Sequence, residues 1–284
     1  MQQSDQEAVG NIRHFYRQRV PAGIMESGEA VAHAYEHYLQ YVRAAVDNAP
    51  APPAVLDVGC GVGWSSTLML QCGFASMVVG VDIGTTFVDM PTNPNLGFVS
   101  ADALFLPFPS QSFDVVAFYQ FLEHVPDPGQ ALDEMLRVLK PGGMLVVAGP
   151  NLLSPLVSLQ GLARLLLTRS PMQWFIRNPQ ELRSPFGNIL LEKVFFLFRN
   201  MVLLLKKTCS PTVKFVFRTP DLREPAHADT DACYLLNPLD VRKYLLRRGL
   251  SILQYQDGGR LRLGKLGALK GGTWVVAVKP TTVG

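Results

Sequence analysis

Cysteine is scarce in this chain, with 4 among 284 residues, and no two cysteines form a CxxC pair. This absence argues against a zinc ribbon, a dithiol redox motif and a disulfide-bonded scaffold. Long apolar runs are also missing, because the best uncharged stretch, 142–163, is interrupted by two prolines, an asparagine and a glutamine. A membrane-spanning helix needs about 20 mostly apolar residues, so the sequence predicts none.

The amino-terminal residues, MQQSDQEAVGNIRHFY, are polar and contain no apolar core, so they predict no signal peptide. Charged residues make up only 17% of the chain and apolar residues 48%, a composition that supports a sizeable folded core. We therefore expect a cytoplasmic protein with reduced thiols.

Short apolar runs alternate with amphipathic segments between residues 51 and 150. Runs closed by glycine or aspartate, such as AVLDVG, MVVGVD and MLVVAG, are typical of buried parallel strands. Between them, WSSTLMLQCG and LDEMLRVLKPGG are predicted helices that end at glycine. The alternation predicts an α/β fold of the Rossmann-like, doubly wound kind. We expect a mostly parallel seven-stranded sheet with helices on both faces.

Composition divides the chain into four predicted parts. Residues 1–50 predict an N-terminal helical cap, because apolar positions recur every three or four residues from Ser27 to Asp47. Residues 51–150 form the predicted core, and residues 151–225 interrupt its rhythm as a helical, hydrophobic and basic insertion after the fifth strand. The rhythm returns in 226–284, where Asn237 is a predicted helix cap and two strands follow the helix.

The sequence VLDVGCGVG, residues 55–63, carries the strongest functional signal. A strand ends there in a glycine loop and a helix follows, so the backbone can approach a ligand and the helix N-terminus can attract an anionic group. Asp82 ends the next strand, where a carboxylate can bind ribose hydroxyls. The spacing is GxGxG rather than the GxGxxG of dinucleotide folds, and Asp57 precedes it. This arrangement favours a cofactor with an amino-acid end and no pyrophosphate.

Together with four further segments, this motif resembles the class I S-adenosylmethionine-dependent methyltransferases, especially those of ubiquinone and menaquinone biosynthesis. The further segments are GVD, SADALFLPFPSQSFDVV, YQFLEHVPDP and LRVLKPGGMLVV, in the family's order. The resemblance is strong from Val55 to about Gly149 and weaker from His227 to Lys279. It implies S-adenosyl-L-methionine as the cofactor and methyl transfer as the reaction.

The resemblance also implies which residues hold the cofactor. Asp82 falls at the ribose, and Asp102 faces the adenine amino group with Ala103 alongside. The cofactor-binding residues predicted in this way are Asp57, Gly59, Gly61, Gly63, Asp82, Ile83, Asp102, Ala103 and Tyr119.

Two histidines are candidates for the general base that an oxygen or carbon acceptor needs. His124 follows the fourth predicted strand, at the edge where the cofactor is expected; the alternative is that it packs or caps the loop. His227 precedes the last predicted helix and has two aspartates close behind it; the alternative is a structural role in that loop. His33 and His37 are four residues apart with no third ligand nearby, so we predict no metal site.

Nucleic acid is a poor candidate for the acceptor. Methyltransferases of base amines usually show a [DNS]PP[YFW] motif after the fourth strand, where this chain has AFYQFLEH. We expect a small apolar or lipid-linked acceptor instead, such as a quinone precursor, an isoprenoid or a lipid-carried glycan, and no nucleic-acid partner. Two alternatives to this reaction stay open: a non-catalytic cofactor-binding scaffold, and a nicotinamide oxidoreductase, which the GxGxG spacing disfavours.

The insertion is strongly basic, although the net charge of the whole chain is only +3. Residues 150–219 contain ten basic and two acidic side chains. Within 189–205, 13 of 17 residues are apolar, and polar pairs recur every seven residues at Glu192-Lys193, Arg199-Asn200 and Lys206-Lys207. Seven residues are almost two helical turns, so the pairs predict one narrow polar stripe on an otherwise apolar helix.

Three interpretations of this helix stay open: an interfacial helix on a membrane or lipid substrate, a buried lid or core helix, and an oligomer contact. Basic residues on the stripe favour the membrane, because anionic lipid attracts each by about 1 kcal/mol. We expect peripheral contact with the inner face of a membrane through residues 189–207. The oligomeric state is left open.

Overall fold

The computed structural model describes residues 11, 13–17, 28–49, 52–84, 87, 93–154, 186–217, 220, 231–255 and 272–281, without the side chains of 28–34, 186–193 and 196. The candidate base His227 lies outside the described residues. The helices and strands in chain order are α1 (Gly28–Val46), β1 (Ala54–Val58), α2 (Trp64–Gln71), β2 (Met77–Asp82), β3 (Leu96–Ser100), β4 (Phe113–Tyr119), a 3-10 turn (Leu122–His124), α3 (Pro128–Val138), β5 (Leu139–Pro150), α4 (Phe186–Cys209), α5 (Pro238–Arg247), β6 (Ser251–Tyr255) and β7 (Gly272–Val278).

The strands form one seven-stranded sheet in the order β3-β2-β1-β4-β5-β7-β6. β1 to β5 pair in parallel, whereas β7 is antiparallel to both of its neighbours. The strand order therefore reverses between β1 and β4, which places a crevice at the carboxyl ends of these strands. The predicted fold class, Rossmann-like with a mostly parallel sheet, is confirmed.

Helices cover both faces of the sheet, as the apolar content of its strands requires. On one face, Val42 of α1 and Met69 of α2 are completely buried against the sheet. On the other face, Leu132 of α3 and Leu245 of α5 are completely buried. The central strands are thus shielded from water on both sides. The division of the chain into four parts stays a prediction.

Helix α3 begins earlier and ends earlier than the sequence predicted. The Asp127 side chain accepts a hydrogen bond from the Gln130 amide at 2.9 Å and caps the helix, and Pro128 occupies its first turn. The helix ends at Val138, because Leu139 already pairs with Phe113 of β4. The Lys-Pro-Gly-Gly segment therefore belongs to β5. Helix α5 begins as predicted, since Asn237 accepts from the Asp240 amide at 3.0 Å.

Helix α4 confirms the helix predicted in the insertion, but two of its polar side chains, Asn200 and Lys207, face the protein. Asn200 and Lys207 are only 5% and 7% exposed. The Lys207 ammonium pairs with the Asp240 carboxylate of α5 and donates to the Lys214 carbonyl at 2.7 Å. The expectation that these two residues belong to a lipid-facing stripe is wrong, because a buried and paired ammonium has no free charge to offer a membrane.

The opposite side of α4 is apolar and exposed. We call it the apolar face of α4, and it consists of Val194, Phe195, Phe198, Met201 and Leu205, which are 46–69% exposed. Four of them recur at intervals of three or four residues, from Val194 to Leu205, so they lie along one side of the helix. Within the described part of the chain, none of the helices combines the length and the apolarity that crossing a bilayer requires.

Candidate active site

A cleft opens at the carboxyl edge of the sheet, close to the point where the strand order reverses. Its walls come from the ends of β2 and β3, from the segment after β4 and from the N-terminal helical segment, residues 13–17. The lining residues are Arg13, Tyr16, Asp82, Ile83, Asp102, Ala103, Gln120, Phe121, His124, Val125 and Pro126. Four predicted cofactor-binding residues therefore meet the candidate base His124 in one cleft.

The glycine loop between β1 and α2 needs glycine at each of its three positions, for two different reasons. Gly59, Gly61 and Gly63 have φ angles of +69°, +57° and +97°, a region that residues with a Cβ rarely adopt. A Cβ atom would lie 2.2 Å from the Phe121 ring at position 59 and 2.4 Å from the Phe98 ring at position 63. At Gly61 nothing lies within 4 Å. Gly59 and Gly63 thus serve packing, while Gly61 leaves open space above the loop.

Asp82, at the end of β2, links the glycine loop to the cleft. Its carboxylate accepts hydrogen bonds from the Gly61 and Gly84 amides, each at 2.9 Å. Burial raises the pKa of Asp82, and these amide donors oppose the rise by stabilising the charged form. The carboxylate therefore shapes the loop, and it also lines the cleft where the ribose contact was predicted.

Asp57 and Tyr119 lie beneath the site and not among the described lining residues. The buried Asp57 carboxylate accepts from Ser65 at 2.5 Å, Ser66 at 2.7 Å and Tyr38 at 3.0 Å. Burial raises its pKa, and the three hydroxyl donors oppose the rise. Tyr119 stacks on the Tyr38 ring, with centroids 5.3 Å apart. Asp57 thus holds the start of α2 against β1, and a direct contact of either residue with a cofactor stays a prediction.

Asp102 lines the cleft with an arginine already beside it. The Arg13 Nε lies 3.2 Å from one Asp102 oxygen, and the other oxygen accepts from the Leu104 amide at 2.9 Å. The cleft encloses about 100 Å³, whereas ligand pockets typically hold about 300–1,000 Å³. The N-terminal segment therefore fills part of the space beside the carboxylate that was predicted to face adenine.

His124 meets two residues that are distant in sequence. Its Nδ1 lies 2.8 Å from the Tyr16 hydroxyl, which donates to the Asp231 carboxylate at 2.6 Å. A second Asp231 oxygen is 3.8 Å from Nδ1, and the buried Glu123 carboxylate is 3.7 Å from Nε2. Sequence reasoning missed Tyr16, because it stands 108 residues from His124 and in no motif.

Gln120 is a second cleft residue that sequence reasoning missed. Its φ angle is +46°, a left-handed conformation that costs free energy in a residue with a side chain. The backbone N–H of Gln120 donates to the Ala148 carbonyl at 2.9 Å, and this hydrogen bond anchors the turn to β5. Such strain is concentrated at functional sites in proteins, and the only sequence signal was its place inside the YQFLEH segment.

Residues 56–147 match a family model described as a methyltransferase domain. The demethylmenaquinone methyltransferase of Renibacterium salmoninarum is 42% identical over 108 residues, which are 37% of this chain and 46% of that protein. The 2-methyl-6-phytyl-1,4-hydroquinone methyltransferase of Synechocystis is 40% identical over 111 residues, 37% of this chain and 35% of that protein. The match thus spans less than half the length of these curated relatives.

Among solved structures, an S-adenosylmethionine-dependent methyltransferase from Mesorhizobium loti is similar over 86% of this chain and 98% of that chain, with 14% identity and a TM-score of 0.49. The [4+2]-cyclase SpnF is similar over 99% of this chain and 96% of its own, with 17% identity and the same TM-score of 0.49. The fold itself follows from the strand order. The family match over residues 56–147 confirms the resemblance to methyltransferases that the motifs implied.

Proposed function

We propose that this chain is an S-adenosylmethionine-dependent methyltransferase whose acceptor is an oxygen or carbon of a small apolar or lipid-linked molecule. One observation carries the proposal: the carboxylates of Asp82 and Asp102 line the same cleft, beside a glycine loop that is open at Gly61. The family match over residues 56–147 supports it independently.

The chemistry of the cleft fits this cofactor. Asp82 can accept hydrogen bonds from ribose hydroxyls, and Asp102 can accept one from the adenine amino group. The open space at Gly61 lets a ligand approach the backbone of the loop, and α2 begins directly after Gly63. When bound, S-adenosylmethionine supplies a methyl group that is already activated by its sulfonium.

His124 is the described residue best placed to accept the proton of the acceptor. It lines the cleft together with Phe121 and Val125, whose apolar side chains exclude water from that wall. A positioned base typically contributes about 10²–10⁴ in rate. The role of His227 stays a prediction.

The acceptor side of the proposal rests on the apolar part of the cleft and on the relatives. Phe121, Val125 and Pro126 line the part of the cleft beside His124, and their apolar side chains suit an apolar ring. Two relatives are named for demethylmenaquinone and for a phytyl-substituted hydroquinone. We therefore favour a hydroquinone-like ring with an isoprenoid tail.

Binding and turnover test the proposal separately. Calorimetry should show binding of S-adenosylmethionine and none of NAD. The Asp102→Asn variant should bind more weakly, whereas Asp47→Asn, at an exposed ion pair with Arg43, should bind like the wild type. Turnover is then measured with labelled cofactor and prenylated hydroquinones. Binding without turnover on any acceptor favours the scaffold alternative, and binding of NAD alone favours the oxidoreductase.

We further propose that the apolar face of α4 rests on an anionic membrane that carries the acceptor. Phe195, Phe198 and Leu205 are 62%, 69% and 63% exposed and form one continuous side of the helix. Burying such a side chain fully in an apolar environment is worth about 1.5–3 kcal/mol. The exposed Lys206 lies at the edge of this face, and ten basic residues lie in 150–219. Anionic lipid complements this combination of apolar area and positive charge.

Vesicle flotation distinguishes the membrane from the two other interpretations of α4. The wild type should float with anionic vesicles, less so as salt rises, because salt screens only the electrostatic part. Lys206→Glu should weaken flotation at low salt, and the double variant Phe198→Ser, Leu205→Ser should weaken it at any salt. That double variant should melt near the wild type, because the two side chains are 69% and 63% exposed. A sharp loss of melting temperature would favour a buried lid, and loss of a dimer in sedimentation without any flotation would favour an oligomer contact.

A further inference from the structure

A hydrogen-bonded chain of three side chains forms one wall of the cleft. Asp231, Tyr16 and His124 come from the segment before α5, the N-terminal helical segment and the 3-10 turn after β4. The Tyr16 hydroxyl is the central member, 2.6 Å from the Asp231 carboxylate and 2.8 Å from the His124 Nδ1. Asp231 is only 5% exposed, so water competes little for its oxygens.

The number of hydrogens shared by these three side chains determines the direction of each hydrogen bond. A tyrosine hydroxyl has a single hydrogen, and an ionised carboxylate can only accept. The Tyr16 hydrogen therefore lies toward Asp231. The short contact between the Tyr16 oxygen and Nδ1 then requires a hydrogen from the imidazole.

We propose that Tyr16 is a positioning residue that holds His124 in the tautomer protonated at Nδ1. In the neutral ring this leaves the lone pair on Nε2, so Nε2 is the nitrogen that can take a proton. The nearest Glu123 oxygen lies 3.7 Å from this nitrogen, which is beyond hydrogen-bond distance. The carboxylates of Glu123 and Asp231 lie on the two sides of the ring and balance the charge that it acquires with a second proton.

In the proposed methyl transfer, on which the catalytic part of this inference rests, the proton leaves the acceptor's hydroxyl or carbon for Nε2. The electron pair left behind on the acceptor forms the new bond to the methyl carbon, and the pair of the broken carbon–sulfur bond stays on sulfur. Tyr16 itself gains and loses nothing. By keeping the imidazole hydrogen on Nδ1, Tyr16 leaves Nε2 able to accept the proton of the acceptor.

Nitrogen-15 NMR of histidine-labelled full-length protein tests the tautomer without any turnover. The chain has 5 histidines, and a His124→Gln variant identifies the resonances of interest. At a pH where the ring is neutral, the wild type should show a protonated Nδ1 and an unprotonated Nε2. Tyr16→Phe should reduce the population of this tautomer. Asp231→Ala should reverse it, because the freed Tyr16 hydrogen can then be donated to Nδ1.

Tyr234→Phe is the matched control. The Tyr234 hydroxyl donates to the Pro126 carbonyl at 2.9 Å. The variant therefore loses a hydroxyl beside the same turn and leaves the side chains of Asp231, Tyr16 and His124 unchanged. It should keep the wild-type tautomer and turnover, while Tyr16→Phe lowers kcat by about 10- to 100-fold, toward the loss expected for an impaired base.

A wild-type ring protonated at Nε2, or a Tyr16→Phe spectrum identical to that of the wild type, overturns the inference. If the spectra behave as expected and no acceptor is ever methylated, the positioning role stands and the proposed reaction is the part that fails. The two failures are thus distinguishable.

Discussion

Lys207 should be essential for stability, although the sequence suggested a lysine on a helix surface. In the structure its ammonium pairs with Asp240, which is completely buried. The same Asp240 oxygen accepts from the Asn237 side chain at 2.9 Å, and the second Asp240 oxygen has no hydrogen-bond partner among the described residues. Lys207→Met would therefore leave a buried carboxylate with one side-chain amide donor and without its directly paired cation.

The expected cost follows from this geometry. Removing one partner of a buried ion pair typically costs about 3–5 kcal/mol. At about 2–4 °C per kcal/mol for chains of about this size, the melting temperature should fall by about 6–20 °C. Lys206→Met, at the exposed neighbouring position, should stay within about 0.5 kcal/mol of the wild type. Urea and thermal unfolding of the two variants measure the difference directly.

A double variant separates charge from packing. The double variant Lys207→Met, Asp240→Leu removes both charges of the ion pair. Replacing a buried ion pair by apolar residues is often neutral or stabilising. The double variant should therefore regain most of the stability that Lys207→Met loses. If Lys207→Met were as stable as Lys206→Met, the reasoning that α4 is tied to α5 through this pair would be refuted.

Three further predictions concern the cleft and the effect of alkaline pH. Asp82→Ala should weaken S-adenosylmethionine binding by about 10- to 100-fold, which corresponds to the loss of one charge-assisted hydrogen bond. Gly61→Val should block binding. Unchanged calorimetric affinity of either variant would contradict the placement of the cofactor. Arg13→Ala should tighten binding by about 2- to 5-fold, because Arg13 occupies the Asp102 carboxylate; weaker binding would show that Arg13 contacts the ligand instead. Burial raises the pKa of Tyr255 to about 12 from a usual 10. The folded state thus holds the phenol proton more tightly, its contribution to stability is complete below pH 10, and it is lost as pH rises to about 12. Tyr255→Phe should flatten this alkaline loss in urea titrations, and an unchanged pH dependence would contradict the assignment.

The meeting of Asp82 and Asp102 in one cleft could be predicted from local sequence. Asp82 and Asp102 follow strands, and the carboxyl ends of parallel strands meet at one edge of a sheet whatever the rest of the chain does. The start of α5 was predictable for the same reason, because Asn237 and Pro238 act on the backbone within one helical turn. The end of α3 was not predictable in this way, because the pairing of Leu139 with Phe113 overrides the local preference of the segment for helix.

The other side of the cleft depends on contacts between distant segments. No local pattern marks Tyr16, whose partners are 108 and 215 residues away. The role of Asp57 was also ambiguous, because a carboxylate before a glycine loop can contact a ligand or brace a helix. The hydroxyls of Ser65, Ser66 and Tyr38 on its oxygens show the bracing contact.

The sequence alone determined the periodicity of each element, the glycine loop and the existence of a long, mostly apolar helix in the insertion, because these depend on neighbours within a few residues. Only the tertiary structure decided how that helix is rotated about its axis. An isolated helix has the same backbone hydrogen bonds at every rotation about its axis, so its partner on α5 selects the orientation. Here Asp240 holds Lys207 inward, and the apolar face that includes Phe195 and Phe198 is therefore turned outward.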